Sequence, residues 1–284
     1  MIRLFLWMVG MKIDVVSDLH LDVFDYYDTS NMEETFDRWF EGSDSKVLLV
    51  AGDVEQCLGS DKNELSDLFF DYVTNRYDFV ACVLGNHDYW NEAPYYDKER
   101  YNFNTMVAEA RKRYPRVAFL NAEEVLYYDG FGIIGATMWT DVPPASRYTV
   151  MQMMNDYKMS LYPNGNRLNV DTTSAECNRV TNFLFDAVTN NKDTNFIILT
   201  HHVPYPCYSY GRLGSPNGHG CGYAYTNNLE NFILDNPNIK MWAFGHTHVP
   251  VDTMCGDCHL VCNPHGYLFY EQNYKNYKVK TVEI

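Results

Sequence analysis

The sequence predicts an α/β fold with a largely parallel central sheet, because short β-branched apolar runs alternate along the chain with amphipathic helical patterns. The runs are Ile13 to Ser17, Val47 to Gly52, Phe79 to Gly85, Phe196 to Thr200 and Met241 to Gly245, with a sixth from Gly132 to Ala136. Apart from Asp14 and the terminal Ser17 and Thr200, these runs are apolar, as expected of strands covered on both faces. Parallel neighbours require crossovers, and strand twist makes these right-handed.

In chain order, the first helix is expected from Asn31 to Phe40 behind the capping box Ser30-x-x-Glu33. Leu65, Leu68, Phe69, Tyr72 and Val73 recur at helical spacing after Asp61-x-x-Glu64. Weaker patterns run from Lys98 to Arg113 and from Thr226 to Leu234. Val180, Phe183, Leu184, Ala187 and Val188 form another helical stripe, with Thr173-x-x-Glu176 as its capping box. Beyond Gly245 the pattern shortens to strands near Val251 to Met254, His259 to Cys262 and Lys278 to Val282, split by turns such as Gly256-Asp257.

The chain of 284 residues is 46% hydrophobic and 21% charged, ordinary for a folded domain. Met1 to Gly10 reads as a start-site extension, and residues 11–284 as a single domain. The segment from Val203 to Tyr225, rich in Gly, Pro and Tyr, reads as a lid-like insertion, with a plain surface loop as the alternative. The formal charge of −15 opposes binding of long nucleic acid or an anionic membrane surface and leaves a small phosphorylated substrate as the easier partner. Eight scattered cysteines, in a chain too large to need disulfide staples, point to a reducing, cytoplasmic setting. The sequence assigns no oligomeric state. Cys255-Gly256-Asp257-Cys258-His259 fits a haem-attachment pattern, or with Cys262 a zinc knuckle, but its Gly-Asp centre reads better as a hairpin turn.

The chemistry is carried by the residues that end each strand run. Asp18 and His20 stand after the first, Asp53 after the second, Asn86-His87-Asp88 after the third, His201-His202 after the fourth, and His246-Thr247-His248 after the fifth. Strand ends of an open α/β sheet share one crevice, so these groups are expected to converge. Imidazoles, carboxylates and an amide oxygen make a mixed donor set for first-row ions such as Mn, Fe or Zn. Asp18, His20, Asp53, Asn86, His201, His246 and His248 suffice for two ions if one carboxylate bridges, and Asp53 is the natural bridge. Two adjacent cations would acidify a bridging water, supplying hydroxide for attack on a phosphate ester. Asp88 would either orient the neighbouring His87 ring or cap the next turn.

These motifs, Asp18-x-His20, Gly52-Asp53, Gly85-Asn86-His87-Asp88, His201-His202 and Gly245-His246-Thr247-His248, resemble those of the calcineurin-like metallophosphoesterase superfamily. Asn263-Pro264-His265-Gly266-Tyr267 is similar to an element near the C-terminus of many members, with His in the usual Arg place. The resemblance implies a four-layer αββα fold, a central β-sandwich of mixed sheets flanked by helices. It implies that Asp18, His20 and His248 hold one metal, that Asn86, His201 and His246 hold the other, that Asp53 is shared, and that His87 is catalytic. The predicted activity is metal-dependent hydrolysis of phosphate mono- or diesters of small or nucleotide-type substrates. His202, Trp139 and Tyr205 are the expected substrate contacts. A Ser/Thr protein phosphatase is the alternative within the family, although Val54-Glu55-Gln56-Cys57 replaces the Asp-Arg pair such enzymes carry after Gly-Asp. A non-catalytic metal-binding scaffold is the alternative of another class.

Overall fold

The computed structural model describes residues 10–26, 31–58, 64–90, 103–160, 167–206 and 221–284. The strands divide between two sheets, as the αββα expectation has it, rather than forming the single sheet that periodicity alone suggests. In the first sheet β1 (Lys12–Val16), β2 (Val47–Val50), β3 (Phe79–Cys82) and β4 (Ala118–Phe119) run parallel, and β11 (Lys280–Glu283) closes the far edge antiparallel to β1. The second sheet has the order β5 (Leu126–Tyr128), β6 (Phe131–Ala136), β7 (Asn195–Thr200), β8 (Ile239–Phe244), β10 (Cys258–Cys262) and β9 (Val251–Cys255).

Side-chain alternation explains why the strands read as apolar on both faces. In β2, Val47 and Leu49 join Ile133, Ile197, Leu199, Met241 and Val261 of the second sheet in a core between the sheets. Leu48 and Val50 point the other way, into a core with Phe36, Trp39, Phe69, Val73 and Met106. Those residues belong to α1 (Met32–Trp39), α2 (Glu64–Arg76) and α3 (Phe103–Arg113), which cover the first sheet. On the second sheet Ile134, Ile198, Trp242 and Leu260 pack outward against α6 (Val170–Asn190) and α7 (Glu230–Leu234). The result is helix, sheet, sheet, helix. Two shorter helices, α4 (Arg147–Met153) and α5 (Asp156–Met159), precede α6.

The capping expectations need one correction. α6 begins at Val170, because the Asn169 side chain accepts a bond from the Thr172 amide at 3.0 Å. Thr173 lies inside the first turn, its hydroxyl turned back to the Val170 carbonyl, so it is not the cap. Ser30 and Asp61, with residues 98–102 of the expected third helix, lie outside the described residues. The Cys255 to Cys258 segment is a hairpin: these two residues oppose each other in register across Gly256, at φ +57°, and Asp257. Cys255, Cys258 and Cys262 are buried, and His259 pairs with Asp252 at 2.6 Å. No described helix is long and apolar enough to cross a membrane.

Candidate metal centre

The candidate ligands stand where strands end and the backbone turns sharply. Asp18, His20, Asp53, His246 and His248 all have left-handed φ, between 47° and 70°. Asp and His tolerate this region better than most residues, yet it still costs about 1 kcal/mol or more at each position. The turns also touch one another. A Cβ on Gly52 would come within 2.6 Å of the Gly85 nitrogen and 2.7 Å of the His201 ring. One on Gly85 would overlap Asp53, and one on Gly245 would sit 2.8 Å from Asp18 Oδ2. Glycine in the Gly-Asp, Gly-Asn and Gly-His pairs is therefore what lets the loops close on each other.

Two groups of donors result, and Asp53 belongs to both. Asp18, His20, Asp53 and His248 form one, and Asp53, His201 and His246 the other, with one potential ligand atom from each residue lying within 4.8 Å of the rest of its group. Asp53 Oδ2 is 3.4 Å from His201 Nε2 and 3.8 Å from His20 Nε2. Asn86 Oδ1 joins the second group, 2.9 Å from His201 Nε2. His20 Nε2 and His248 Nε2 approach to 3.1 Å, and His248 Nε2 lies 3.4 Å from Asp18 Oδ1.

The donors fit a pair of divalent cations. Asp18 Oδ2 is a buried polar atom with no hydrogen-bond partner among the described residues, which is costly unless a cation or water meets it. Burial lowers the His201 and His248 pKa values, but the carboxylates outweigh it. Asp53 holds His201 up at about 9, and Asp18 with Glu271 holds His248 up at about 10. Asp53 itself, pushed up by burial, is pulled well below its ordinary value by His201 and His87. The centre thus draws positive charge. His20 and His246 stay neutral, through burial and the neighbouring imidazoles, and so keep lone pairs for a metal.

The Nδ1 atoms of His201 and His248 are anchored. His201 Nδ1–H donates to the Ala51 carbonyl at 2.8 Å, and His248 Nδ1 bonds both oxygens of Glu271 at 2.8 and 2.9 Å, so each Nε2 is aimed at the cluster. The Asn86 amide NH₂ donates to Asp156 Oδ1 at 2.7 Å, which turns the amide oxygen inward. Trp90 Nε1–H donates to the same Asp156 oxygen at 2.8 Å. The Trp90 indole lies on the His87 ring, with centroids 3.6 Å apart. His87 Nε2 is 3.1 Å from the Tyr267 hydroxyl, and Tyr267 in turn stacks on His20. These groups open on a cleft of about 370 Å³.

Asp88 is placed differently from the catalytic expectation. Both its oxygens are taken by four backbone amides: Oδ2 by Asp53 and Gly85, Oδ1 by Val54 and Glu55. It ties the loop after β2 to the loop after β3 and makes no bond to the His87 ring. His202 and Trp139 are fully buried and absent from the cleft wall. His202 Nδ1–H donates to the Thr137 carbonyl, and Trp139 packs on His202, Tyr89 and Phe103. Tyr205 is half-buried at the start of the expected lid, of which residues 207–220 lie outside the described residues. At its far end Tyr225 stacks on His246 and lines the cleft. Sequence reasoning passed over Glu271, Asp156, Trp90, Tyr225 and Tyr267. Tyr267 had a signal, the Asn263 to Tyr267 element, and Trp90 closely follows His87, but nothing local marked the two acids.

A helix–sheet–sheet–helix sandwich that gathers Asp, Asn and His side chains at its strand ends is the metallophosphoesterase fold. The chain belongs to the calcineurin-like phosphoesterase family, whose model matches residues 11–250. It is 27% identical over 274 residues to the uncharacterized protein L509 of Acanthamoeba polyphaga mimivirus, covering 92% of this chain and 93% of that one. Among solved structures, the phosphopantetheinyl hydrolase PptH of Mycobacterium tuberculosis superposes with a TM-score of 0.64 at 18% identity, over 91% of this chain and 90% of that one. TT1561 of Thermus thermophilus gives 0.48 at 14% identity, over 96% and 99%. At such identities the structural likeness is one of fold alone.

Proposed function

We propose that the protein is a dinuclear metal-dependent phosphohydrolase acting on mono- or diesters of small phosphorylated substrates. The observation that carries the reading is Asp53, whose one carboxylate serves two donor groups while its Oδ1 accepts the His87 backbone N–H at 2.8 Å. Asp18, His20 and His248 would hold one ion and Asn86, His201 and His246 the other, with Asp53 between them. When bound, the pair supplies Lewis-acid activation of water and phosphoryl oxygens.

The chain's own groups do the rest. His87, fixed in plane by Trp90 and pinned through its backbone to Asp53, presents Nε2 toward Tyr267 and the cleft. There it donates a proton or hydrogen bond to the departing ester oxygen, a role worth roughly 10²–10⁴ in rate. Burial raises the Tyr267 pKa, so its hydroxyl stays protonated and restrains the imidazole. Residues 11–284 act as one domain in this reading, supported by the paired backbone bonds between Met11 and Ile284, with residues 1–10 as an extension. Among the described residues, the buried thiols of Cys82, Cys177, Cys258 and Cys262 suit a reducing cytoplasm.

The test is a panel of mono-, di- and cyclic phosphates, assayed with chelator-stripped protein refilled with Mn, Zn, Fe or Mg. Activity is expected only after refilling, and His87→Ala should lose at least a hundredfold. Full activity without metal overturns the reading. No turnover of any ester, with His87→Ala unchanged, favours the scaffold alternative.

A further inference from the structure

The floor of the cleft is polar, and its walls are in large part apolar. Met153 and Met154, where α4 ends, line it together with Trp90 and Tyr225. Each aromatic ring lies on a floor imidazole, Trp90 on His87 and Tyr225 on His246. Met153 of this wall is 58% exposed. Large exposed apolar side chains beside a polar pocket mark a surface that meets an apolar ligand. Methionine suits such a wall because its flexible thioether adapts to the shape it meets.

The charges in the wall point the same way. Apart from the candidate ligands and His87, the acidic side chain among the described lining residues is Asp156, held by Asn86 and Trp90. Among the described residues no Lys or Arg lines the cleft. A second phosphate on the substrate would need such a cation, ideally a forked guanidinium, and would meet the Asp156 carboxylate instead.

Resting on the phosphohydrolase reading, we infer that the substrate is a phosphate ester whose organic part is uncharged and apolar or aromatic. That part sits between Trp90, Tyr225 and the Met153–Met154 pair. Substrates bearing a second phosphate are rejected.

Two matched comparisons on metal-loaded protein test this, each made with monoesters and with p-nitrophenyl diesters: methyl against benzyl esters, and benzyl against 4-(phosphonomethyl)benzyl esters. The benzyl group is expected to raise kcat/KM about tenfold over methyl, as burial of its apolar area implies. The added phosphonate is expected to lower it by a similar factor. Met153→Lys, at an exposed position that tolerates the longer cation, should shrink both ratios to within about threefold, and ratios cancel any general loss of activity. Met153→Ala should reduce the benzyl preference alone. Wild-type ratios near one, a phosphonate that raises kcat/KM, or a Met153→Lys variant with unchanged ratios each overturn the inference and leave the phosphohydrolase reading standing. Absence of turnover on every ester overturns both.

Discussion

At the floor of the cleft the backbone does most of the work, and at the wall the side chains do. Asp18, His20, Asp53, His246 and His248 are held at left-handed φ on loops so close that glycine alone fits between them. Met153, by contrast, closes the ordinary turn of α4 and is more than half exposed. A floor built in this way has few alternative solutions, because each candidate ligand depends on the path of a neighbouring loop. A wall built from side chains on a short helix can be exchanged without disturbing the sheets. The difference separates the chemistry the protein performs from the molecule it performs it on.

Breaking the floor should have the largest effects. Gly85→Ala would drive a methyl group into Asp53 and is expected to cost about 4 kcal/mol or more, seen as loss of the native urea transition. Asp53→Asn should leave a folded protein that binds fewer than two metal equivalents by calorimetry and has roughly 10³-fold lower kcat/KM, since both donor groups lose their shared charge.

Behind the floor, His265 is buried among Phe24, Trp39 and Tyr277, and burial pushes its pKa down to about 4. Below pH 6.5 the unfolded chain takes up a proton that the folded one refuses. This contribution to stability is therefore complete above 6.5 and lost as pH falls toward 4, by about 3 kcal/mol. Urea titrations of the wild type and His265→Gln across that window should differ in slope by close to one proton. Equal slopes would show that His265 is protonated in the native state. Glu271→Gln weakens the anchor of His248, and metal affinity should fall 10–100-fold by chelator competition while the fold is kept. On α4, Tyr148→Ser should change stability by less than about 0.5 kcal/mol. A larger change would mean that α4 is part of the rigid frame.

The same contrast decides what the sequence disclosed. Strand runs, their order and the residues ending them were legible because hydrophobic periodicity and the glycine-led turns are local. The division into two sheets was not legible in periodicity and came only from the motif resemblance, since Ile13 and Ile197 look alike in sequence and only pairing assigns them to opposite sides of one core. Nor were the partners of the candidate ligands: Asp156 stands 70 positions from Asn86, and Glu271 stands 23 from His248. The roles expected of His202 and Trp139 depended on which way a side chain turns after a strand end, and both turn inward. Asp88 carried the right chemistry for orienting a histidine but lies nearer four backbone amides.

That Asp88 arrangement bears on how the chain can change over generations. Gly85, Asn86, His87 and Asp88 have four separate duties in consecutive positions: close passage of the loops, an amide oxygen for the centre, an imidazole for the cleft, and a brace across two loops. Each substitution disturbs a different duty, and inserting or deleting one residue shifts all four at once. Related chains are therefore expected to keep the tetrapeptide intact while differing in the helix that bears Met153, where insertion and exchange disturb none of the four duties.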